Sequence, residues 1–159
     1  MSTFGLIGLV IAFAGVVVSV VCLLVGQILL KAGKKGAAET ASWGGCIASI
    51  LTTVALTVCC GILVYCFMVG DFSIEYVLME HSDADGPLGV LYRFSGLWAG
   101  REGSLLFWAW LISIFNTVVA VRAMKKLDPL DCMALFVSNL VLCAFVAVTL
   151  FSDSWLCFN

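Results

Sequence analysis

The side chains best suited to chemistry are concentrated between Asp71 and Trp110. The only histidine of the sequence, His81, lies in this stretch between Glu80 and Ser82. A neighbouring carboxylate can orient an imidazole ring, an arrangement that suits metal binding, haem binding or proton transfer, although a solvated loop histidine is the simpler interpretation. Because two axial ligands require two such rings, a bis-histidine haem cannot be built by this chain alone.

No other combination of residues forms a catalytic or metal site in the sequence. It contains no Ser/His/Asp set, no metal-ligating cluster and no phosphate-cradling glycine loop, and its eight cysteines show no Cys-x-x-Cys spacing. A free cysteine packs like a small apolar residue, so we interpret most of them as packing residues. A bridge between Cys66 and Cys157, both towards outer helix ends, stays open for an oxidising compartment. We expect no catalytic residue and no metal ligand.

The composition indicates that transmembrane helices position these residues. Hydrophobic residues make up 63% of the 159 positions, charged residues make up 11%, and the mean hydropathy is +1.16. Soluble domains are typically about 45–50% apolar and about 25% charged, so a soluble fold is excluded. The formal charge of -2 offers no basic excess for phosphates, which argues against nucleic acid as a partner. The sequence therefore predicts an integral membrane protein.

Four stretches are long and apolar enough to cross a bilayer, since about 20 helical residues span its core. Backbone groups in lipid must bond within their own segment, so each stretch should be helical. The first stretch lacks a basic region before it and is too long for a signal peptide, so we expect a retained helix. Asp128 suits the N-cap of the fourth helix, Pro129 its first position and Asp131 its first turn. We predict an all-α fold in which residues 1–159 form a single four-helix membrane module, with spans at 4–30, 44–70, 103–121 and 129–151.

The charges in the connections predict the orientation of the module. Basic residues dominate the first and third connections, whereas six acidic residues outnumber Arg93 and Arg101 in the second, at 71–102. Because basic loops stay on the cytoplasmic side, the 71–102 loop and both termini should face outward, in a multi-pass protein of the cell (inner) membrane. Tryptophans near the predicted outer boundaries would anchor the helices at the interface; these are Trp98, Trp108, Trp110 and Trp155.

The outer loop at 71–102 does not resemble a free polar loop. Its apolar residues alternate with charges, as expected for a segment that lies in the membrane interface. Glu102 sits where a helix N-terminus favours an acid. Arg93 lies between aromatic residues and fits an interfacial anchor in the headgroup region. On these grounds the loop is either a docking or substrate-facing surface or a structural cap.

A family resemblance becomes visible in the run LWAGREGSLLFW at 97–108. It is similar to the WGGHEGSLLLW block of the CcmF/NrfE family of cytochrome c-type biogenesis proteins. Arg101 departs from that block, where histidine or glutamine is usual, so no role is transferred to its side chain. The resemblance continues in order over roughly 63–158, through Asp71-Phe72-Ser73, Tyr76-Val77, Glu80-His81-Ser82, Tyr92-Arg93, Asp128-Pro129 and Leu150-Phe151-Ser152.

The resemblance implies a membrane haem lyase that joins haem vinyl groups to the two thiols of a CxxCH motif in apocytochrome c on the outer face. Family members are longer and carry a tryptophan-rich WWD segment and haem-holding histidines, which this sequence does not contain. The implied role is that of an N-terminal module. Haem would then be held only together with a membrane partner chain that carries the WWD segment, and a haem-delivering protein and apocytochrome c would be further partners. Residues expected to face haem or the partner are Tyr76, His81, Tyr92, Arg93, Trp98, Glu102, Gly103, Ser104 and Trp108.

Two other classes of function remain open. A scaffold that stabilises a membrane complex without touching substrate is the main alternative, and a transporter or proton channel ranks third. A transport pathway usually needs ionisable groups at membrane depth, whereas Gln27, Asn116 and Asn139 do not titrate near pH 7. Small residues that could allow close helix packing, in a scaffold or within one chain, are Gly26, Gly33, Gly44, Gly45, Ser49 and Gly61.

Overall fold

The computed structural model describes residues 2–69, 101–126 and 128–151, with side chains at 4–66, 103–126 and 128–151. These residues form four helices, each long and apolar enough to cross a membrane. Each of the four predicted helices is therefore present. In chain order they are α1 (Ser2–Lys31), α2 (Lys35–Val69), α3 (Arg101–Lys126) and α4 (Pro129–Phe151).

Two helix boundaries differ from the sequence prediction by more than two residues. Helix α2 begins at Lys35 rather than at residue 44, and α3 continues to Lys126 rather than ending at residue 121. The predicted spans ended where charged residues begin, because charge is costly in the hydrocarbon core. A helix can continue beyond that limit, since backbone bonding does not depend on an apolar side chain and long lysines reach the interface. The added turns are rich in alanine and lysine, which are good helix formers.

The helices pack in a closed order, α1 against α2, α2 against α3, α3 against α4 and α4 against α1. Side-chain contacts give the relative direction of α2 and α3, because Thr57 pairs with Trp110 and Thr53 with Thr117. As residue numbers fall along α2 they rise along α3, so these two helices are antiparallel. The short α1–α2 and α3–α4 connections therefore lie at one end of the bundle. We call this the basic end, after Lys31, Lys34, Lys35, Arg122, Lys125 and Lys126.

The two short connections at the basic end are held by different local devices. In the first, Gly33 has a φ of 77°, a left-handed conformation that ends α1 and is strained for other residues. In the second, the Leu130 backbone N–H donates to Asp128 Oδ1 at 3.0 Å, with Pro129 as the first helical residue and Asp131 in the first turn. The predicted N-cap of α4 is thus confirmed. Arg122 lies 4.0 Å from Asp131 across this connection.

The core consists of two apolar clusters, one on either side of the bundle centre. Leucines and alanines dominate both, with Leu56 and Leu106 in the cluster farther from the basic end and Leu23 and Leu135 in the nearer one. The buried cysteines in these clusters occupy apolar surroundings, as the sequence analysis expected. Cys66 is buried, and Cys157 lies outside the described residues, so the bridge between them stays a prediction. Among the described residues, the buried cysteines are Cys46, Cys59, Cys60, Cys66 and Cys132.

Candidate functional site

The end of the bundle opposite the basic end contains the described part of the predicted site. Here α2 ends, α3 begins, and residues 70–100 between them lie outside the described residues. Glu102 occupies the first turn of α3, with its side chain outside the described set, and Gly103, Ser104 and Trp108 follow on the same helix. The predicted site residues outside the described residues are Tyr76, His81, Tyr92, Arg93 and Trp98.

The first turns of α3 separate a core face from an outward face. Gly103 is buried, and Leu106 and Ala109 are fully buried in the cluster shared with α2 and α4. The Trp108 side chain is 55% exposed, on the side of the helix away from that cluster. An exposed tryptophan at a helix end fits either membrane anchoring or contact with a partner. Among the three predicted site residues whose side chains the structure describes, Gly103, Ser104 and Trp108, the tryptophan is the exposed one.

The aromatic run Phe107–Trp110 does not form one continuous wall. The Phe107 and Trp110 rings pack at 5.9 Å between centroids with a tilt of 46°, on the side of α3 that meets α2. The Trp110 indole N–H donates to Thr57 Oγ1 at 2.9 Å. Successive helical residues are about 100° apart, so Trp108 and Trp110 point to nearly opposite sides. Trp110 therefore joins α3 to α2, and the expectation that it simply anchors the interface is incomplete.

Aromatic packing also closes the opposite corner, between α1 and α4. The Phe13 and Phe151 rings meet edge to face, 5.5 Å apart with an interplanar angle of 84°. Such pairs add about 0.5–1.5 kcal/mol beyond the area they bury. The contact joins the middle of α1 to the last residue of α4, and it therefore links the two hairpins, α1–α2 and α3–α4.

A group of hydrogen-bonded polar side chains, not predicted from the sequence, lies midway along the bundle. Asn139 Oδ1 accepts from Ser49 Oγ at 3.2 Å and from Asn116 Nδ2 at 3.0 Å, and Asn139 Nδ2 donates to Ser19 Oγ at 3.1 Å. Ser19 Oγ donates to the Gly45 carbonyl at 2.7 Å, and Ser138 donates to Asn116 Oδ1. One asparagine thus contacts all three other helices. We define Ser19, Ser49, Asn116 and Asn139 as the polar centre.

The side chains of the polar centre hold the helices together and offer no reactive group. Each of its four side chains is at most 1% exposed and is bonded within the bundle, and none is ionisable. Buried polar groups in lipid need partners, and these satisfy one another. Asn116 and Asn139 were singled out in the sequence as mid-membrane polar residues, but their convergence on Ser19 and Ser49 depends on the packing. Among the described residues, no group of three or more His, Cys, Asp or Glu side chains could hold a metal ion.

The comparisons with curated proteins agree on one kind of relative. The probable cytochrome c-type biogenesis protein NrfE of Escherichia coli K12 is 36% identical over 109 residues, which are 68% of this chain and 19% of that protein. The cytochrome c-type biogenesis protein CcmF of Haemophilus influenzae is 31% identical over 100 residues, 63% of this chain and 15% of that protein. No family model matches the chain.

A solved structure shares the fold. The structure of the cytochrome c haem lyase CcmF superposes on 92% of this chain with a TM-score of 0.65 at 23% sequence identity, and the match covers 23% of that chain. This likeness supports the four-helix arrangement. The chain thus spans about a fifth of the length of these relatives. Their partial coverage fits the N-terminal portion indicated by the sequence resemblance.

Proposed function

Because this chain belongs to the CcmF/NrfE family of cytochrome c-type biogenesis proteins, we propose that it is the N-terminal four-helix module of a cytochrome c haem lyase. The observation that carries the proposal is the sequence relationship over two thirds of the chain, together with the shared fold. The four spanning helices are those of a multi-pass membrane protein. In our proposal residues 1–159 act as one unit in the inner membrane.

The arrangement of charges supports an outward-facing role for the 70–100 segment. Both short connections lie at the basic end, and such loops remain on the cytoplasmic side. The 70–100 segment joins α2 and α3 at the other end and would face outward, as would both termini. That is the side on which covalent haem attachment to apocytochrome c would take place in this proposal.

The contribution of this module to the reaction would be positioning. Joining a haem vinyl group to a cysteine thiol adds sulfur and hydrogen across the double bond, which requires the two groups to be held close. In the proposal a partner chain carrying the WWD segment holds the haem, a haem-delivering protein supplies it, and this module shapes one wall of the site. The candidate residues of that wall remain Tyr76, His81, Tyr92, Arg93, Trp98, Glu102, Gly103, Ser104 and Trp108.

The test compares two exposed aromatic residues on the same side of α3. Trp108 lies near the 70–100 segment, and Phe115, two helical turns further along, is 70% exposed. We expect Trp108→Ala to lower covalent haem in c-type cytochromes about tenfold or more, because truncating a tryptophan at an interface centre typically costs about 2 kcal/mol. Phe115→Ala should leave the signal unchanged, since it would face lipid. Haem staining of cytochromes in cells that carry each variant as their sole copy is the measurement.

Deletion of the chain completes the test and distinguishes the scaffold alternative. Loss of the chain should abolish covalent haem attachment while apocytochrome c is still made. Normal c-type cytochromes after deletion would contradict the proposal. If Trp108→Ala has no effect and deletion removes the membrane partner from immunoblots in parallel with the cytochromes, the chain is a scaffold instead.

A further inference from the structure

A cavity of about 90 Å³ lies near the basic end, between three helices. Helix α1 contributes Gln27 and Leu30, α2 contributes Lys35, Glu39 and Ser42, and α4 contributes Pro129 and Cys132. The volume has room for several water-sized groups, but not for a second helix. In a bilayer spanned by the four helices, this end of the bundle would lie near the level at which phospholipid headgroups meet the hydrocarbon core.

The side chains around the cavity favour a negatively charged oxyanion. Lys35 lines the cavity, Lys31 is the last residue of α1, and Lys34 lies in the adjoining connection. Gln27, half-buried on α1, offers amide N–H groups one turn below Lys31. Within residues 4–66, 103–126 and 128–151, no ion pair joins Lys35 to Glu39, so the ammonium group is not committed to that neighbour. The Leu130 N–H at the start of α4 is not counted as a donor, because it is already bonded to Asp128.

Apolar side chains are exposed on α1 and α4 next to residues that line the cavity. Leu30 itself lines it, and Ile28 and Met133 follow the lining residues Gln27 and Cys132 in the sequence and are exposed. A free anion would gain nothing from these side chains, whereas acyl chains would cover them. Basic pockets between transmembrane helices on the cytoplasmic side are a recurrent type of site for phospholipid headgroups.

We propose that this cavity binds the phosphate group of an anionic phospholipid, with Lys35 and Gln27 as donors and the acyl chains against α1 and α4. Glu39 opposes the negative charge and limits the affinity. The site does not depend on the role of the 70–100 segment, since its residues all lie in the other half of the bundle. Lipid bound here would fill the gap between the two hairpins.

The experiment measures phospholipid retained by the purified full chain. The protein is exchanged into detergent with phosphatidylglycerol or phosphatidylcholine, and bound lipid is counted by native mass spectrometry. We expect phosphatidylglycerol to be retained over phosphatidylcholine, and Lys35→Gln to weaken its retention about fivefold, as expected for one basic residue at a membrane surface. The matched control is Lys126→Gln, which removes a charge from the same end outside the cavity and should have little effect. Glu39→Gln should strengthen retention.

The other outcomes overturn the proposal in distinguishable ways. Equal losses in Lys35→Gln and Lys126→Gln would show general attraction to the basic end rather than a site. Displacement of the lipid by inorganic phosphate alone would assign the cavity to a free anion. Equal retention of both lipids by the unchanged chain would show that charge does not select the occupant. Circular dichroism of each variant confirms that the helices are intact.

Discussion

Two helix interfaces differ in the side chains that form them: the interface between α1 and α2, within the first hairpin, and the interface between the two hairpins. Between α1 and α2 the contact is made by small residues, so the two backbones approach closely. Between the hairpins hydrogen-bonded side chains add to the apolar packing, among them Trp110 with Thr57 and Asn139 with Ser19 and Ser49. One interface is therefore sensitive to volume, and the other is sensitive to polarity.

The close approach of α1 and α2 follows a repeat of small residues. A Cβ atom at Gly15 would lie 2.6 Å from Thr52 Oγ1, and similar crowding occurs at Gly8, Gly26 and Gly45. Along α1 these residues recur at alternating spacings of three and four, the repeat of a left-handed helix pair. On α1 the repeat consists of Gly5, Gly8, Ala12, Gly15, Ser19, Cys22 and Gly26. On α2 its members contact Ala38, Ser42, Gly45, Thr52 and Cys59.

Close packing and interhelical hydrogen bonds are both effective ways to join helices in lipid. Apolar side chains gain little by leaving lipid for another apolar surface, so helix association depends on close packing and on hydrogen bonds between helices. Close packing of small residues joins α1 to α2, and hydrogen bonds between side chains contribute to the contact between the two hairpins. Each of the following changes should weaken one interface and leave the other intact.

The largest effect is expected from Gly15→Leu. The added side chain meets Thr52 on α2 where no space exists, so we expect a loss of stability of about 3 kcal/mol. Gly61→Leu is the matched control, because a Cβ at that position has no atom within 4 Å. Unfolding in mixed micelles of increasing SDS content measures both. Equal stability of the two variants would contradict the volume-sensitive interface.

Replacing the residue that contacts all the other helices should have the next largest effect. Asn139→Leu removes the partner of Ser19, Ser49 and Asn116, and interhelical hydrogen bonds in lipid average about 0.6 kcal/mol, so we expect a loss of about 2 kcal/mol. Val141→Leu, exposed on the same helix, is the control. The same SDS titration applies. An Asn139→Leu variant as stable as the unchanged chain would show that apolar packing joins the hairpins.

The number of helices could be predicted from the sequence because the length of each apolar stretch can be read directly along the chain. The N-cap at Asp128 was equally accessible, since Asp-Pro followed by an acid in the first turn is a local pattern. The start of α2 and the end of α3 could not be predicted from hydropathy, because the charged turns at the basic end remain helical. Local chemistry was therefore predicted better than the extent of each helix.

The role of individual small residues could be predicted only in part. Six were identified as candidates for close packing, and the structure places Gly26, Gly45 and Ser49 at helix contacts. Gly61 meets nothing within 4 Å and Gly33 forms a turn, so composition alone did not separate packing glycines from exposed ones. The spacing of three and four along α1 was the signal that could have done so.

The candidate site was harder to predict than the fold, because its residues act across helices. Trp108 and Trp110 are two positions apart and looked equivalent as interfacial anchors. The helical repeat sends one outward and the other towards Thr57, and this difference depends on which face of α3 meets the core. Prediction of the polar centre would likewise have required knowledge of how all four helices pack.

The smallest effect tests one hydrogen bond between the hairpins. We expect Trp110→Phe and Thr57→Val each to lower stability slightly, and the double variant to lose less than the sum, with a coupling of about 0.6 kcal/mol. Trp108→Phe combined with Thr57→Val is the control cycle and should be additive, because Trp108 points away from α2. All variants are measured by SDS unfolding. A coupling near zero for the Trp110 cycle would mean that apolar packing, rather than the indole N–H, holds α3 against α2 at this level.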